Sequence, residues 1–271
     1  MKRRIFFKTS FGVCLLASPA FLVTRLAQAD ARIANINDAI NKSGRQRMLS
    51  QRLAKCYLQI GQAIDLPRSQ KLFDISLALF EKQLGNLEAF APNAENKATL
   101  AELKKSWSAY KTVLLARAPN QQDAKVVMRL SDEVLALAHS ATLQLEKSSD
   151  TSVGHLVNIA GRQRMLSQRM AKFYQAINWG VAAGDALGNL VKARDEFLRA
   201  MTELSASPSN TQAIKQEITL AQQQWFFFDQ ALKSSAISDD SKLRFANNVA
   251  TSSERILETM DKITGLYEQL G

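Results

Sequence analysis

The sequence predicts an all-α protein built from two tandem four-helix bundle repeats, eight long helices in all, related by a pseudo-two-fold axis. Gly44-Arg-Gln-Arg-Met-Leu-Ser-Gln-Arg52 returns unaltered as Gly161-Arg-Gln-Arg-Met-Leu-Ser-Gln-Arg169, and comparing Asn41–Lys55 with Asn158–Lys172 at an offset of 117 keeps 12 of 15 positions identical. Helix breaks marked by proline, glycine and Asn/Asp/Ser clusters fall at similar places in each half. Apolar landmarks also repeat: Phe80 with Phe197, Leu87 with Leu204, Trp107 with Trp225 after a one-residue shift, and Val134-Leu135 with Ile256-Leu257. These are read as core positions, since apolar residues at helical spacing line a buried face.

Taken in order, the first helix runs over 30–65 and stops ahead of Leu66-Pro67, because proline lacks the amide a helix interior needs. The second, 68–90, closes at Ala91-Pro92-Asn93; the third, 95–117, at Pro119-Asn120; the fourth covers 121–148. The junction Ser148 to Ser152 is open to two readings, a short linker or a distorted continuous helix. The second half repeats the pattern at 152–183, 186–206, 210–234 and 239–269, broken at Gly184-Asp185, Ser207-Pro208-Ser209 and Ile237-Ser238-Asp239. Long helices with short connections imply up-down bundles. The domain division is therefore 1–29, 30–149 and 150–271.

The first of these segments is excluded from the fold. It has a basic start (Lys2, Arg3, Arg4, Lys8), an apolar middle and a small-residue end at Ala27-Gln28-Ala29, the pattern of an export signal cleaved near Ala29. Arg3-Arg4-Ile5-Phe6-Phe7-Lys8 is of the twin-arginine type. The apolar run, interrupted by Ser18, Pro19 and Thr24, is shorter than the roughly 20 residues a membrane span needs. The predicted location is periplasmic. Removing 29 residues that hold five bases and no acid leaves 242 of the 271 residues and lowers the formal charge from +10 to +5. Cys56 is then the single remaining cysteine, which excludes an internal disulfide, a thiolate metal cluster and a haem-attachment motif. No cofactor is expected.

The chemistry lies in the repeated motif. Between Lys42 and Ile64, and again between Thr151 and Gly184, there is no acidic residue, so the motif arginines have no intrahelical carboxylate three or four residues away. Arg45, Arg47 and Arg52, with Arg162, Arg164 and Arg169, must meet another helix, water or a bound anion. On a helical wheel, Arg45 and Arg52 fall within about 20° of each other beside Met48 and Leu49, on a face suited to the bundle interior, with Arg47 about 160° from Arg45. Asp74, Glu81, Asp132 and Glu133 are the neighbouring acids that would neutralise such arginines. The alternative is that one arginine of each copy converges on an oxyanion, since the planar guanidinium fork matches carboxylate and nitrate geometry. A pseudo-two-fold arrangement would bring the equivalent residues face to face.

At these residues, Asn41 to Arg52 and Asn158 to Arg169, the sequence resembles the P-box of the periplasmic nitrate/nitrite sensors NarX and NarQ. It is closer still to the N-terminal domain of the type IV pilus chemotaxis transducer PilJ. The resemblance implies four-helix sensor modules with a ligand between motif helices. It places the anion-binding arginine at Arg47 and Arg164 and the motif glycine at Gly44 and Gly161. In second rank, as ligand neighbours or structural braces, come Asn41, Asn158, Arg45, Arg162, Met48, Met165, Arg52 and Arg169. The implied function is an exported binding protein for a small anion, nitrate or nitrite first and a carboxylate next, that reports to a membrane sensor, transducer or transporter. Pairing of the repeats within one chain or between the chains of a homodimer stays open. The alternative is an adaptor whose repeated helices dock a protein without a small ligand, with Trp225-Phe226-Phe227-Phe228 as its densest aromatic cluster. His139 and His155 lack a metal-ligand pattern and are expected to be ordinary structural or surface histidines. Export and the lack of interleaved stacking aromatics exclude nucleic acid as a partner. The absence of a phosphate-cradling loop, nucleophile elbow or triad signature predicts that the protein is not an enzyme.

Overall fold

The structure is a computed structural model that describes residues 32–182, 184–234 and 239–271. The export signal read at 1–29 lies outside the described residues, as does most of the break read at 237–239. Eight helices follow one another: α1 (Ile36–Gly61), α2 (Leu66–Phe90), α3 (Ala94–Ala116), α4 (Gln121–Ser149), α5 (Ser152–Asn178), α6 (Ala186–Ala206), α7 (Gln212–Lys233) and α8 (Asp239–Glu268). No strand occurs among the described residues, so the expected all-α class with eight long helices is what forms.

Most starts are set by a polar side chain that satisfies an otherwise orphaned amide. Asn35, Asn93, Asn120, Thr151, Asp185 and Thr211 each accept a hydrogen bond from the amide three residues on. A cap of this kind contributes about 1 kcal/mol. Pro67 sits in the first turn of α2, where its missing N–H costs nothing.

Helix ends differ from the sequence reading in three places. The first helix spans Ile36–Gly61 rather than 30–65, because the chain turns through left-handed Ala63 and Asp65 and Ser69 Oγ donates to the Ile64 carbonyl. The fifth ends at Asn178 rather than 183: Gly180 takes a positive φ of 70°, and the Val181 amide closes back on the Ala176 carbonyl. The Ser148–Ser152 junction is a two-residue break, with Asp150 left-handed at φ 46° after α4 and Thr151 capping α5.

Residues Ile33–Gly271 form one compact unit. Each first helix packs against the second and fourth of its own repeat, and the third closes the far side against the fourth. The most extensive helix pair joins the repeats, α1 against α5. Phe80 stacks on Trp107 at 3.9 Å and Phe197 on Trp225 at 4.6 Å, one pair in each core. Phe228 is buried in the second core, whereas Phe226 and Phe227 are exposed.

Because α1 and α5 are surrounded, they bury polar as well as apolar faces, and the two sides of the wheel that carry Arg45 and Arg47 meet different neighbours. Arg47 and Arg164 are fully buried, whereas Arg45 retains some exposure. Buried glutamines bind neighbouring helices through backbone carbonyls: Gln46 donates to Phe80 and Gln163 to Phe197, Gln51 to Ser131 and Gln168 to Ser253. A buried amide left without such an acceptor would cost about 1–3 kcal/mol.

Charge is also met across the repeats. Arg52 and Lys55 on α1 both reach Glu254 on α8, while Arg169 and Lys172 on α5 both reach Asp132 on α4. Of the four acids expected to neutralise motif arginines, Asp132 alone is seen doing so; Glu81 pairs with Lys111 and Glu133 with Arg129.

Candidate functional site

The α1/α5 seam brings the two motif glycines and two of the arginines to one point. A Cβ at Gly44 would lie 3.1 Å from Arg47 Nη2 and 3.5 Å from Arg164 Nη2; one at Gly161 would lie 3.0 Å from Arg164 Nη2 and 3.7 Å from Arg47 Nη2. Glycine inside a helix costs about 1 kcal/mol relative to alanine. Here it provides the space in which two guanidinium groups approach each other.

The exchange across the seam is reciprocal. Arg47 Nη2 donates to the Asn158 carbonyl at 3.2 Å, and Arg164 Nη2 donates to the Asn41 carbonyl at 3.1 Å. The asparagine side chains point elsewhere, Asn41 Nδ2 donating to Glu268 and Asn158 Nδ2 to Glu146. Met48 is buried in the core, whereas the equivalent Met165 lines a cavity described below.

Beyond the seam the symmetry breaks. Aligning the fourth helices on Val134-Leu135 and Ile256-Leu257 sets His139 of α4 opposite Asp261 of α8. The Asp261 carboxylate bridges Arg164 Nη1 and Arg45 Nη2, the latter at 2.9 Å. His139 occupies the corresponding place between Arg47 Nη1, 3.3 Å from Nδ1, and Arg162 Nη1, 3.2 Å from Nε2. One half thus closes on Arg-Asp-Arg and the other on Arg-His-Arg.

The electrostatics follow from that difference. Burial lowers the Arg47 pKa to about 9, with Arg162 and Arg164 adding repulsion. Among the described residues no carboxylate bonds to Arg47, and its Nε is buried without a hydrogen-bond partner. Burial likewise lowers Arg164, to about 10, but its Asp261 ion pair works against the shift. The Asp261 carboxyl is held far below the usual carboxylate range by Arg45 and Arg164, which outweigh its own burial. Burial and the same two cations, Arg47 and Arg162, push His139 down to about 4, so the imidazole is neutral near pH 7. A guanidinium can only donate, and a neutral imidazole has one unprotonated nitrogen; Nδ1 can fill that role for either arginine, lying 3.3 Å from Arg47 Nη1 and 3.4 Å from Arg162 Nη1.

A cavity of about 410 Å³ opens beside His139, within the 300–1,000 Å³ range of small-molecule sites. Arg47, Arg162, Arg169 and Lys192 supply its cationic wall, Asp132 and Glu196 its acids, and Leu135, Met165 and Leu166 part of its apolar floor. Glu196 pairs with Arg162, and Asp132 with Arg169. The α6 side is polar at Asn189, Lys192 and Glu196; at the repeat offset of 117, α2 carries Leu72, Ile75 and Leu79 instead.

The structure therefore brings Arg47, Arg164, Gly44 and Gly161 together. It distributes Arg45 and Arg162 to the flanking bridges and uses Arg52 and Arg169 to join the repeats. Sequence reasoning read His139 as an ordinary structural or surface histidine and passed over Asp261, Lys192 and Glu196. Among the described residues no group of three His, Cys, Asp or Glu side chains is placed to hold a metal. Cys56 is buried, and burial pushes its thiol up to about 11.

The fold and the seam define the protein's class as a duplicated all-α bundle with converging cations between its repeats. The particular family is specified by sequence: the model of the type IV pili methyl-accepting chemotaxis transducer N-terminal domain, PilJ, matches residues 31–133 and again 147–251. The chain belongs to that family. No curated protein and no solved structure matches it.

Proposed function

We propose that this chain is a periplasmic sensor module that captures a small anion at the α1/α5 seam and reports its occupancy to a membrane signalling partner. The supporting observation is Arg47: a fully buried guanidinium, beside a second one, with no carboxylate bonded to it. An uncompensated buried charge is expensive, and a bound anion removes the cost. Nitrate or nitrite is the first ligand to try, because a planar oxyanion matches the guanidinium fork. The membership of a transducer family supports the signalling role. No helix among the described residues is long and apolar enough to cross a membrane.

Occupancy would be read through packing. Neutralising Arg47 relieves repulsion between the repeats at their most extensive helix pair, which changes how firmly α1 and α5 are held together. Calorimetric titration of the leader-free protein with nitrate and nitrite tests the reading. Saturable binding, lost on replacing Arg47 and Arg164 together by alanine, is expected; no saturable anion binding would sink it.

A docking role without a small ligand draws on one observation. Phe226 and Phe227 are 60% and 67% exposed and packed edge to face on each other. A pull-down from envelope extract that survives the double arginine replacement would favour that role.

A further inference from the structure

The two repeats present the same pair of arginines to two different occupants, and the difference identifies what the open half receives. In the second repeat Arg164 and Arg45 close on the carboxylate of Asp261. In the first repeat the equivalent Arg47 and Arg162 flank His139, which contributes no negative charge, and there the cavity opens. We propose that this cavity binds a short organic acid whose carboxylate is met by Arg47 and Arg162 beside the His139 imidazole, these two arginines corresponding to the pair that Asp261 bridges in the other half. Asp261 is the built-in counterpart of the ligand.

The surroundings fit that class. Four cations face two carboxylates around the cavity, and both carboxylates are already paired, Glu196 with Arg162 and Asp132 with Arg169 and Lys172. Arg47 Nε is buried without a partner. The floor is apolar at Leu135, Met165 and Leu166, which suits a short hydrocarbon body and gives nothing to an inorganic oxyanion. A four-atom ion such as nitrate would leave most of the 410 Å³ to water, whereas a chain of a few carbons covers the floor. Lys192, exposed on α6, can meet a second acidic group at the solvent side. Because α2 presents Leu72, Ile75 and Leu79 where α6 presents Asn189, Lys192 and Glu196, the site is single in each chain.

This inference rests on the anion reading above and narrows it to a ligand class and one half of the seam. Its test is calorimetric titration of the leader-free protein with butyrate, succinate and nitrate, repeated on His139→Asp and His139→Asn. His139→Asp supplies the missing carboxylate and should weaken butyrate and succinate at least tenfold while raising the melting temperature. His139→Asn adds no charge to the seat and should bind both acids more tightly than His139→Asp does, with one ligand per chain. Nitrate binding without butyrate or succinate binding would overturn the inference and leave the anion reading standing, as would carboxylate binding undiminished by His139→Asp. Binding of none of the three would overturn both. Titration of the wild-type protein alone separates nitrate-only binding from binding of none of the three, even if a variant does not fold.

Discussion

His139 stands in the first repeat where Asp261 stands in the second, each between two arginines contributed by different repeats. A single difference at equivalent positions thus converts a closed ion-pair bridge into an electropositive seat. Duplication supplied both arginine pairs; divergence of the fourth helices left Arg47 without a bonded carboxylate among the described residues, while Arg162 pairs with Glu196 on α6.

The two central arginines should respond oppositely to removal. Arg47→Met deletes a buried charge that no carboxylate compensates, and relief of that charge should stabilise the anion-free protein by about 1 kcal/mol or more. Arg164→Met strips Asp261 of one of its two cations. Because that carboxylate is partly exposed and keeps Arg45, the cost should be about 1–2 kcal/mol, below the range for breaking a fully buried pair. Urea unfolding of both variants in anion-poor buffer checks the opposite signs.

Glycine replacement separates the seam from ordinary helix surface. Gly85 in α2 has nothing within 4 Å of a Cβ, so Gly85→Ala should stabilise by about 0.5–1 kcal/mol through helix propensity alone. Gly44→Ala places its methyl 3.1 Å from a guanidinium held by both a carbonyl and His139, which cannot retreat without losing a bond. Its stability gain should be absent or reversed, and anion affinity should fall severalfold in the same titration.

Much of this architecture is legible in sequence. The asparagine and threonine caps, Pro67 and the 117-residue offset locate the helices and pair the repeats. What a single-helix wheel cannot show is how many neighbours a helix has. With α2, α4 and α5 around it, α1 buries Arg47 more completely than Arg45, an order that the wheel alone does not set. His139 escaped for a different reason. Comparing repeats draws the eye to residues that are alike, and the cavity depends on one that is unlike. The signal was present in the correspondence of Val134-Leu135 with Ile256-Leu257, which sets His139 against Asp261.

Acid stability should divide into two windows. His139 in the folded protein titrates near 4 against about 6.5 for a free histidine, because burial, Arg47 and Arg162 oppose its protonation. Between those values the unfolded chain binds the extra proton, so stability falls as pH drops from 6.5 to 4. His155 acts in the opposite sense. Raised by Glu146 and Glu203, it contributes stability below the free value that is lost as pH rises through its folded pKa. Glu254, held at about 2 by Lys55 and Arg52 despite its burial, contributes stability above the ordinary glutamate range that disappears as pH falls toward 2. Replacing His139 by asparagine should flatten the 6.5-to-4 limb of a melting-temperature profile and leave the more acidic loss intact.

The ion pairs that join the repeats should be unequal in the same way. Glu254 has 2% of its side chain exposed and holds both Arg52 and fully buried Lys55, so Glu254→Gln leaves Lys55 in an apolar setting without a counter-charge. Breaking a buried pair by removing one partner costs about 3–5 kcal/mol. Its counterpart Asp132 is 40% exposed, and of the two cations that Asp132→Asn leaves behind water can reach Arg169, 21% exposed, though not fully buried Lys172. Lys172 can also respond by releasing its proton, since burial already lowers its pKa to about 8. The cost of Asp132→Asn should therefore be about 1 kcal/mol. Urea unfolding of the two variants at pH 7 should rank Glu254→Gln well below Asp132→Asn; equal losses would mean that exposure does not govern these two bridges.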